Sequence, residues 1–311
     1  MSEIYLADHK IIEIFPNIEA LIDYTGVGNY YMQQSHINLL WADGLTGSGI
    51  KVGVVDTGAQ VDHPMIAGKI VAGKNFAGDG TQDPDDLSGH YHGTFVTSLI
   101  AGNYMNNKLY GVAPNVEIVI ARVFNDNGTG YREWVANGIN YCIEQGCDII
   151  NCSLSFPSDS DTRILQQALE NAIAQDISVV CTSGNTAEYE ERYPSAYDNA
   201  ISIGSIDYDY DISSFSTYNN FVDIVAPGDN IYAAYTNSEY TTASGTSASA
   251  PLISGTLALL KQKFIRDFGR KPNEAELFAM LIKQTRALPD IDRQHQGHGY
   301  FDASINKTRR I

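Results

Sequence analysis

Short apolar runs recur along the chain, separated by longer stretches of mixed polarity. Lys51-Val-Gly-Val-Val-Asp56, Val116 to Val123, Asp148 to Cys152, Ile177 to Thr182 and Ala200 to Gly204 are nearly unbroken and rich in valine and isoleucine. Such runs suit strands covered on both faces, because a strand with one wet face alternates instead. Between and after them lie amphipathic stretches with helical spacing, Gly130 to Gln145, Thr162 to Gln175 and Ser247 to Phe264. The alternation predicts βαβ units and an α/β fold of three layers: a mostly parallel twisted sheet with helices on both faces. Sheets of this kind bind ligands beyond the carboxyl ends of their strands. Polar residues that end the apolar runs are therefore the first candidates for chemistry.

Three such residues stand out. Asp56 ends the first run before Thr57-Gly58, as a turn former or as an acid at the rim of the sheet. His92 marks the point where the polar loop Gly78 to Ser88 and its continuation give way to Thr94–Ala101, which has helical spacing and small residues on one face. It reads as a cap, a core residue or a base. Ser247 lies in Ala243-Ser-Gly-Thr-Ser-Ala-Ser-Ala-Pro251, directly before an apolar helix. The plain reading is a serine N-cap. The sharper one notes that a hydroxyl in the first helical turn sits beside free N–H groups and the positive end of the helix dipole, which favour an oxyanion. Pro251 is expected within that first turn, where no N–H is needed. Each signal alone is weak, but together they are the parts of an activated nucleophile. A serine hydroxyl attacks only when an imidazole takes its proton, and a carboxylate holds that imidazole in the right tautomer.

Composition narrows the picture. Of 311 residues, 43% are hydrophobic and 18% charged, so a large core is affordable and wholesale disorder is excluded. The 37 acidic and 20 basic residues leave a net charge of −17, which opposes binding to nucleic acid or to an anionic membrane and leans towards cationic partners. No apolar stretch approaches the ~20 residues of a membrane helix. The start, MSEIYLADHKIIEIFPN, lacks the basic region and apolar core of a secretory signal, so a cytoplasmic location is expected. Cys142, Cys147, Cys152 and Cys181 then read as reduced thiols packed like small apolar side chains. A Cys-x4-Cys-x4-Cys metal site fits poorly with their strand-like flanks.

Four motifs in the order Asp, His, Asn, Ser make the chain resemble the subtilisin-like serine proteases. They are Val55-Asp-Thr-Gly58, His92-Gly-Thr94, Thr182-Ser-Gly-Asn185 and Gly245-Thr-Ser-Ala-Ser-Ala-Pro251. Gly111-Val-Ala-Pro114, Ser153-Leu154 and Ala226-Pro-Gly228 extend the likeness over roughly residues 25 to 305. The resemblance implies a serine endopeptidase acting on peptides or proteins, with Ser247 as nucleophile, His92 as base, Asp56 as its orienting acid and Asn185 as an oxyanion donor. It implies a substrate strand at Ser153, Leu154 and Ser155, where the family has glycine in place of Ser155. Glu188, Glu190 and Glu191, on the loop after Asn185, would select Lys or Arg beside the scissile bond, or form a solvated charge run. No cofactor is implied for the chemistry. The resemblance leaves a structural calcium open, but one family site often uses an aspartate where Met65 stands here, and the loop Asn103 to Leu109 has no carboxylate, so any such ion is expected elsewhere.

The same resemblance divides the chain into an extension, 1–24, a catalytic domain, 25–305, and a tail, 306–311. So short an extension is similar to that of the intracellular subtilisins, whose leader lies across the active site. Ile12 to Asn17 is then a blocking segment, with an ordinary edge strand as the competing reading. A dedicated leader-processing enzyme would share the same triad. Two other classes compete: a zinc hydrolase built on His63, His90, His92 and Asp56, and a non-catalytic peptide-binding homologue. His295 and His298 read as exposed loop residues. Oligomeric state has no signal in the sequence.

Overall fold

All five apolar runs are strands of one sheet. The computed structural model describes residues 3–5, 10–14, 30–78, 84–85, 91–103, 111–157 and 163–305. Two strands, β1 (Glu3–Tyr5) and β2 (Lys10–Ile14), precede two short helices, α1 (Tyr30–Gln34) and α2 (Ile37–Ala42). Then come β3 (Lys51–Asp56), β4 (Ile70–Asn75), α3 (His92–Ala101), β5 (Glu117–Arg122) and β6 (Thr129–Tyr131). The middle of the chain forms α4 (Arg132–Glu144), β7 (Ile149–Cys152), β8 (Phe156–Pro157), α5 (Arg163–Ile173), β9 (Ser178–Thr182) and β10 (Arg192–Tyr193). After β11 (Ile201–Ile206), β12 (Val222–Pro227), β13 (Ile231–Ala234) and β14 (Tyr240–Ser244) the long helix α6 (Thr246–Phe268) begins. It is followed by α7 (Glu274–Ile282), β15 (Thr285–Arg286), α8 (Arg293–Gln296) and β16 (Tyr300–Phe301).

The main sheet has nine strands in the order β15-β16-β12-β11-β9-β7-β3-β5-β4. Every pairing is parallel except β15 with β16. Because successive strand residues face opposite ways, one apolar run feeds two cores. Val52 and Val54 of β3 join the cluster that includes Leu99 of α3 and Leu257 of α6. Val55, one residue on, joins the cluster formed with Ile139 of α4 and Leu169 of α5. The expected three layers result. Strand order runs outward from β3 in both directions, so the carboxyl end of β3, Asp56, opens on the crevice where such sheets hold ligands.

Helix α6 is buried without a break from Thr246 to Lys261, as a helix that is apolar nearly all round must be. The cationic head of Lys261 is matched by the buried Asp148 at 3.2 Å, which also accepts from the Lys51 N–H and pairs with Lys271. Burial lowers the Lys261 proton affinity. Burial raises that of Asp148, but its surrounding cations prevail and hold the carboxyl below its usual range.

Three expectations change. Pro251 is the sixth residue of α6 and so lies past the first turn. The extension read as preceding all sheet signals contributes β1, antiparallel to β6, and β2, antiparallel to β14. Strand β4 was not read from the sequence, because it is an edge strand with mostly half-buried positions. The four cysteines are free and buried, as expected. A hydrogen bond with Cys147 and burial push the Cys142 thiol up, and burial does the same for Cys181. His90, residues 15–29 and residues 306–311 lie outside the described part of the chain.

Candidate active site

Asp56 is fully buried at the end of β3, and His92 is the first residue of α3. His92 Nδ1 meets Asp56 Oδ1 at 2.6 Å, and the Thr57 N–H donates to the same oxygen at 2.7 Å. A carboxylate oxygen only accepts, so the imidazole donates from Nδ1, and Nε2 is the ring nitrogen turned away from Asp56. Thr57 also ties the two elements together, since its Oγ1 accepts from the Gly93 N–H at 2.9 Å and caps α3. The approach is close: a Cβ on Gly93 would stand 1.9 Å from the Gly58 carbonyl oxygen. Only glycine fits after this histidine.

Ser247 is the second residue of α6 and is buried. The cap is Gly245, so Ser247 is not the N-cap that the plain reading expected. The cap is supplied instead by Asn185, whose Oδ1 accepts from the Thr246 N–H at 2.9 Å and from Thr246 Oγ1 at 2.8 Å. Because a backbone N–H can only donate, the amide must point its oxygen there, and Nδ2 is turned the other way. Nδ2 is buried and has no partner among the described residues. This donor sits on the same amide whose oxygen holds Thr246, the residue before Ser247. Helices α3 and α6 pack against each other.

The position of Pro251 explains a further contact. Lacking an N–H, Pro251 cannot bond the carbonyl four residues back, which is that of Ser247. Ser153 Oγ donates to this carbonyl at 3.0 Å. Asn151 Nδ2 donates to Ser153 Oγ at 2.9 Å, and Ser254 Oγ donates to Asn151 Oδ1 at 2.9 Å. The Ser153 side chain thus turns into the body of the protein, whereas the substrate pairing expected of this stretch is through its backbone. Leu154 does the same in the α4–α5 core. Ser153 to Ser155 leave the sheet between β7 and β8, outside any ladder. Asn151 and Ser254 escaped the sequence reading. The available signal was a lone asparagine in a buried apolar run, since a buried amide needs partners.

Ser155 is buried and accepts from Arg192 Nε at 3.4 Å. Arg192 Nη1 reaches both carboxylate oxygens of Glu190, at 3.2 and 3.3 Å. Glu190 is therefore not the isolated anion that selection of a basic side chain presumed, while Glu188 and Glu191 are exposed. Met65, at the position considered for calcium, is buried against Ala234 and Tyr240. The nearby Asn103 amide donates to the Pro64 and Ala67 carbonyls. A thioether in an apolar cluster does not suit a cation that takes oxygen ligands. For the zinc reading, His63 has both ring nitrogens engaged, Nδ1 accepting from the Met65 N–H and Nε2 on the Glu239 carbonyl. Among the described residues, no three His, Cys, Asp or Glu side chains are grouped to hold a metal. His295, expected on an exposed loop, lies on α8, is half-buried and stacks on Tyr218, and His298 just beyond is half-buried as well. No helix among the described residues is long and apolar enough to cross a membrane.

A model of the subtilase family matches residues 47–299. The major intracellular serine protease of Bacillus subtilis (strain 168) is 42% identical over 269 residues, covering 84% of this chain and 83% of that protein. An intracellular serine protease of Paenibacillus polymyxa is 41% identical over 273 residues, 85% of this chain and 82% of its own. Thermitase of Thermoactinomyces vulgaris is 40% identical over 215 residues, 69% and 75% respectively.

Proposed function

The chain belongs to the subtilase family and is a serine-type endopeptidase, and from that premise we propose that Asp56, His92 and Ser247 form its charge-assisted nucleophile with Asn185 at the oxyanion. Ser247 Oγ attacks the peptide carbonyl carbon as its proton passes to His92 Nε2. The carbonyl π pair moves onto oxygen, which accepts from Asn185 Nδ2 and from the Ser247 backbone N–H. The C–N bond then breaks as His92 returns the proton to the departing amine. Water repeats the sequence on the acyl-enzyme and releases the acid. These steps call on no cofactor, and no calcium is proposed at Met65.

The observation that most supports this reading is the buried Asp56–His92 bond, which stabilises the imidazolium formed on attack. Ser247→Ala should lower kcat by about 10⁶, the size of loss known when such a serine is removed from subtilisin. Activity that survived within tenfold of the parent would end the proposal.

The same reading gives the extension a restraining role and the protein a cytoplasmic location, the latter following the printed names of two relatives. β1 lies on β6, and β2 lies on β14, whose last residue is three before Ser247. Of the segment expected to block, Ile12 to Ile14 are in β2 and Phe15 to Asn17 lie outside the described residues. Deleting residues 1–24 should raise kcat/KM on a short peptide. An equally well-folded truncation with unchanged kcat/KM would remove the restraint.

A further inference from the structure

Arg192 opens β10, which pairs antiparallel with β8 so that Arg192 lies opposite Pro157. Two lengths of chain thus run side by side away from the candidate site. One begins at Ser153, bonded to the Ser247 carbonyl, and the other leads on from Asn185. The Arg192 stem covers Gly184, the residue before Asn185: a Cβ there would stand 3.0 Å from Arg192 Cγ. Its guanidinium reaches Ser155 and Glu190. Side-chain exposure is 16% for Arg192 and 32% for Glu190, so the pair is partly desolvated yet reachable from solvent.

We propose that the Glu190–Arg192 ion pair sets the charge preference for the substrate residue that carries the scissile carbonyl, and that the intact pair favours an uncharged side chain there. The inference rests on the assignment of Ser247 and Asn185 above. Because Ser153 bonds the Ser247 carbonyl and Gly184 precedes Asn185, the proposal seats the side chain next to the scissile carbonyl against Ser155, Gly184 and Arg192. A lysine entering there competes with Arg192 for Glu190, and a carboxylate competes with Glu190 for Arg192. Either must break an existing pair. A neutral amide or hydroxyl bonds a spare guanidinium N–H and leaves the pair intact, since arginine carries five donors.

The test compares three peptides that differ only at this residue, bearing Gln, Lys or Glu. Ratios of kcat/KM within one enzyme sample cancel any difference in the folded fraction. For the parent enzyme the Gln peptide should be cleaved best. Arg192→Gln should move the Lys-to-Glu ratio towards Lys by about threefold or more, and Glu190→Gln should move it towards Glu by as much, the range of a partly exposed charge pair. A smaller movement, or one in the wrong direction, overturns the proposal. So does a parent enzyme that prefers either charged peptide to Gln, a result that needs no variant to fold. Ser247→Ala must abolish cleavage of all three peptides. Cleavage that survives it overturns the catalytic assignment, whereas flat ratios with an inactive Ser247→Ala overturn the ion-pair proposal alone.

Discussion

Asn185 performs two tasks with one amide, and a single atom separates them. Its oxygen caps α6 through the Thr246 N–H, while its nitrogen is the donor turned away. Asn185→Asp keeps an acceptor for the cap and deletes the donor. It should lower kcat by about 10²–10³, with a melting temperature near that of the parent. Asn185→Ala should add a loss of about 1 kcal/mol of stability through the missing cap. If Asn185→Asp turned over within twofold of the parent, Nδ2 would have no part in catalysis. Ser153→Ala leaves the buried Ser247 carbonyl without the hydroxyl that replaces the missing Pro251 N–H. Its expected cost is about 1–3 kcal/mol in denaturant unfolding. These roles were half legible in the chain. The motif around Asn185 marked the donor, but only coordinates reveal that its oxygen holds the helix.

At the scale of elements, the site depends on how closely α3 approaches the end of β3. Gly93 allows it, and Thr57 joins the two by capping α3 while its N–H holds Asp56. Gly93→Ala must push the start of α3 away from Gly58 and carry His92 off Asp56. Because a displacement near 1 Å can cost about 10² in rate, a loss of at least that size is expected in kcat. An alanine variant with parental kcat would show that α3 tolerates the shift. The apolar runs made β3, β5, β7, β9 and β11 readable, since each is buried on both faces. β1, β4 and the short pair β8–β10 were not readable, and β2 was legible only as the edge strand that competes with a blocking segment, because edge and two-residue strands take their pairing from neighbours rather than from a local pattern.

Across the whole molecule, the buried ionisable groups pull in two directions: His63 and Asp148 make acid destabilising, whereas burial pushes the Asp223 carboxyl up to about 6, so its protonation favours the folded chain. Burial lowers the proton affinity of His63, opposed only in part by its bond to the Glu239 carbonyl. In the unfolded chain histidine returns to about 6.5, so its contribution is complete above that pH and is lost as pH falls through the lower folded value. Asp148, held low overall by its cations, contributes above about 3.9 and loses that contribution on further acidification. Melting temperature should therefore carry a first, His63 stage of decline below about pH 6.5 and a second, Asp148 stage below about 3.9, the first opposed by Asp223 as it takes up a proton near pH 6. His63→Gln should remove the first stage. A parent-like decline between pH 6.5 and 5 in that variant would assign the first stage to other groups.

The order of apolar runs and helical stretches by itself determined the α/β class and the sheet's central strands, because burial on both faces and helical period are local properties of the chain. Which oxygen Asn185 presents to α6, which hydroxyl replaces the Pro251 N–H, and whether Glu190 stands alone were decided only in three dimensions. Each depends on a partner tens of residues away, and a hydrogen bond or ion pair exists only when both groups arrive at one place.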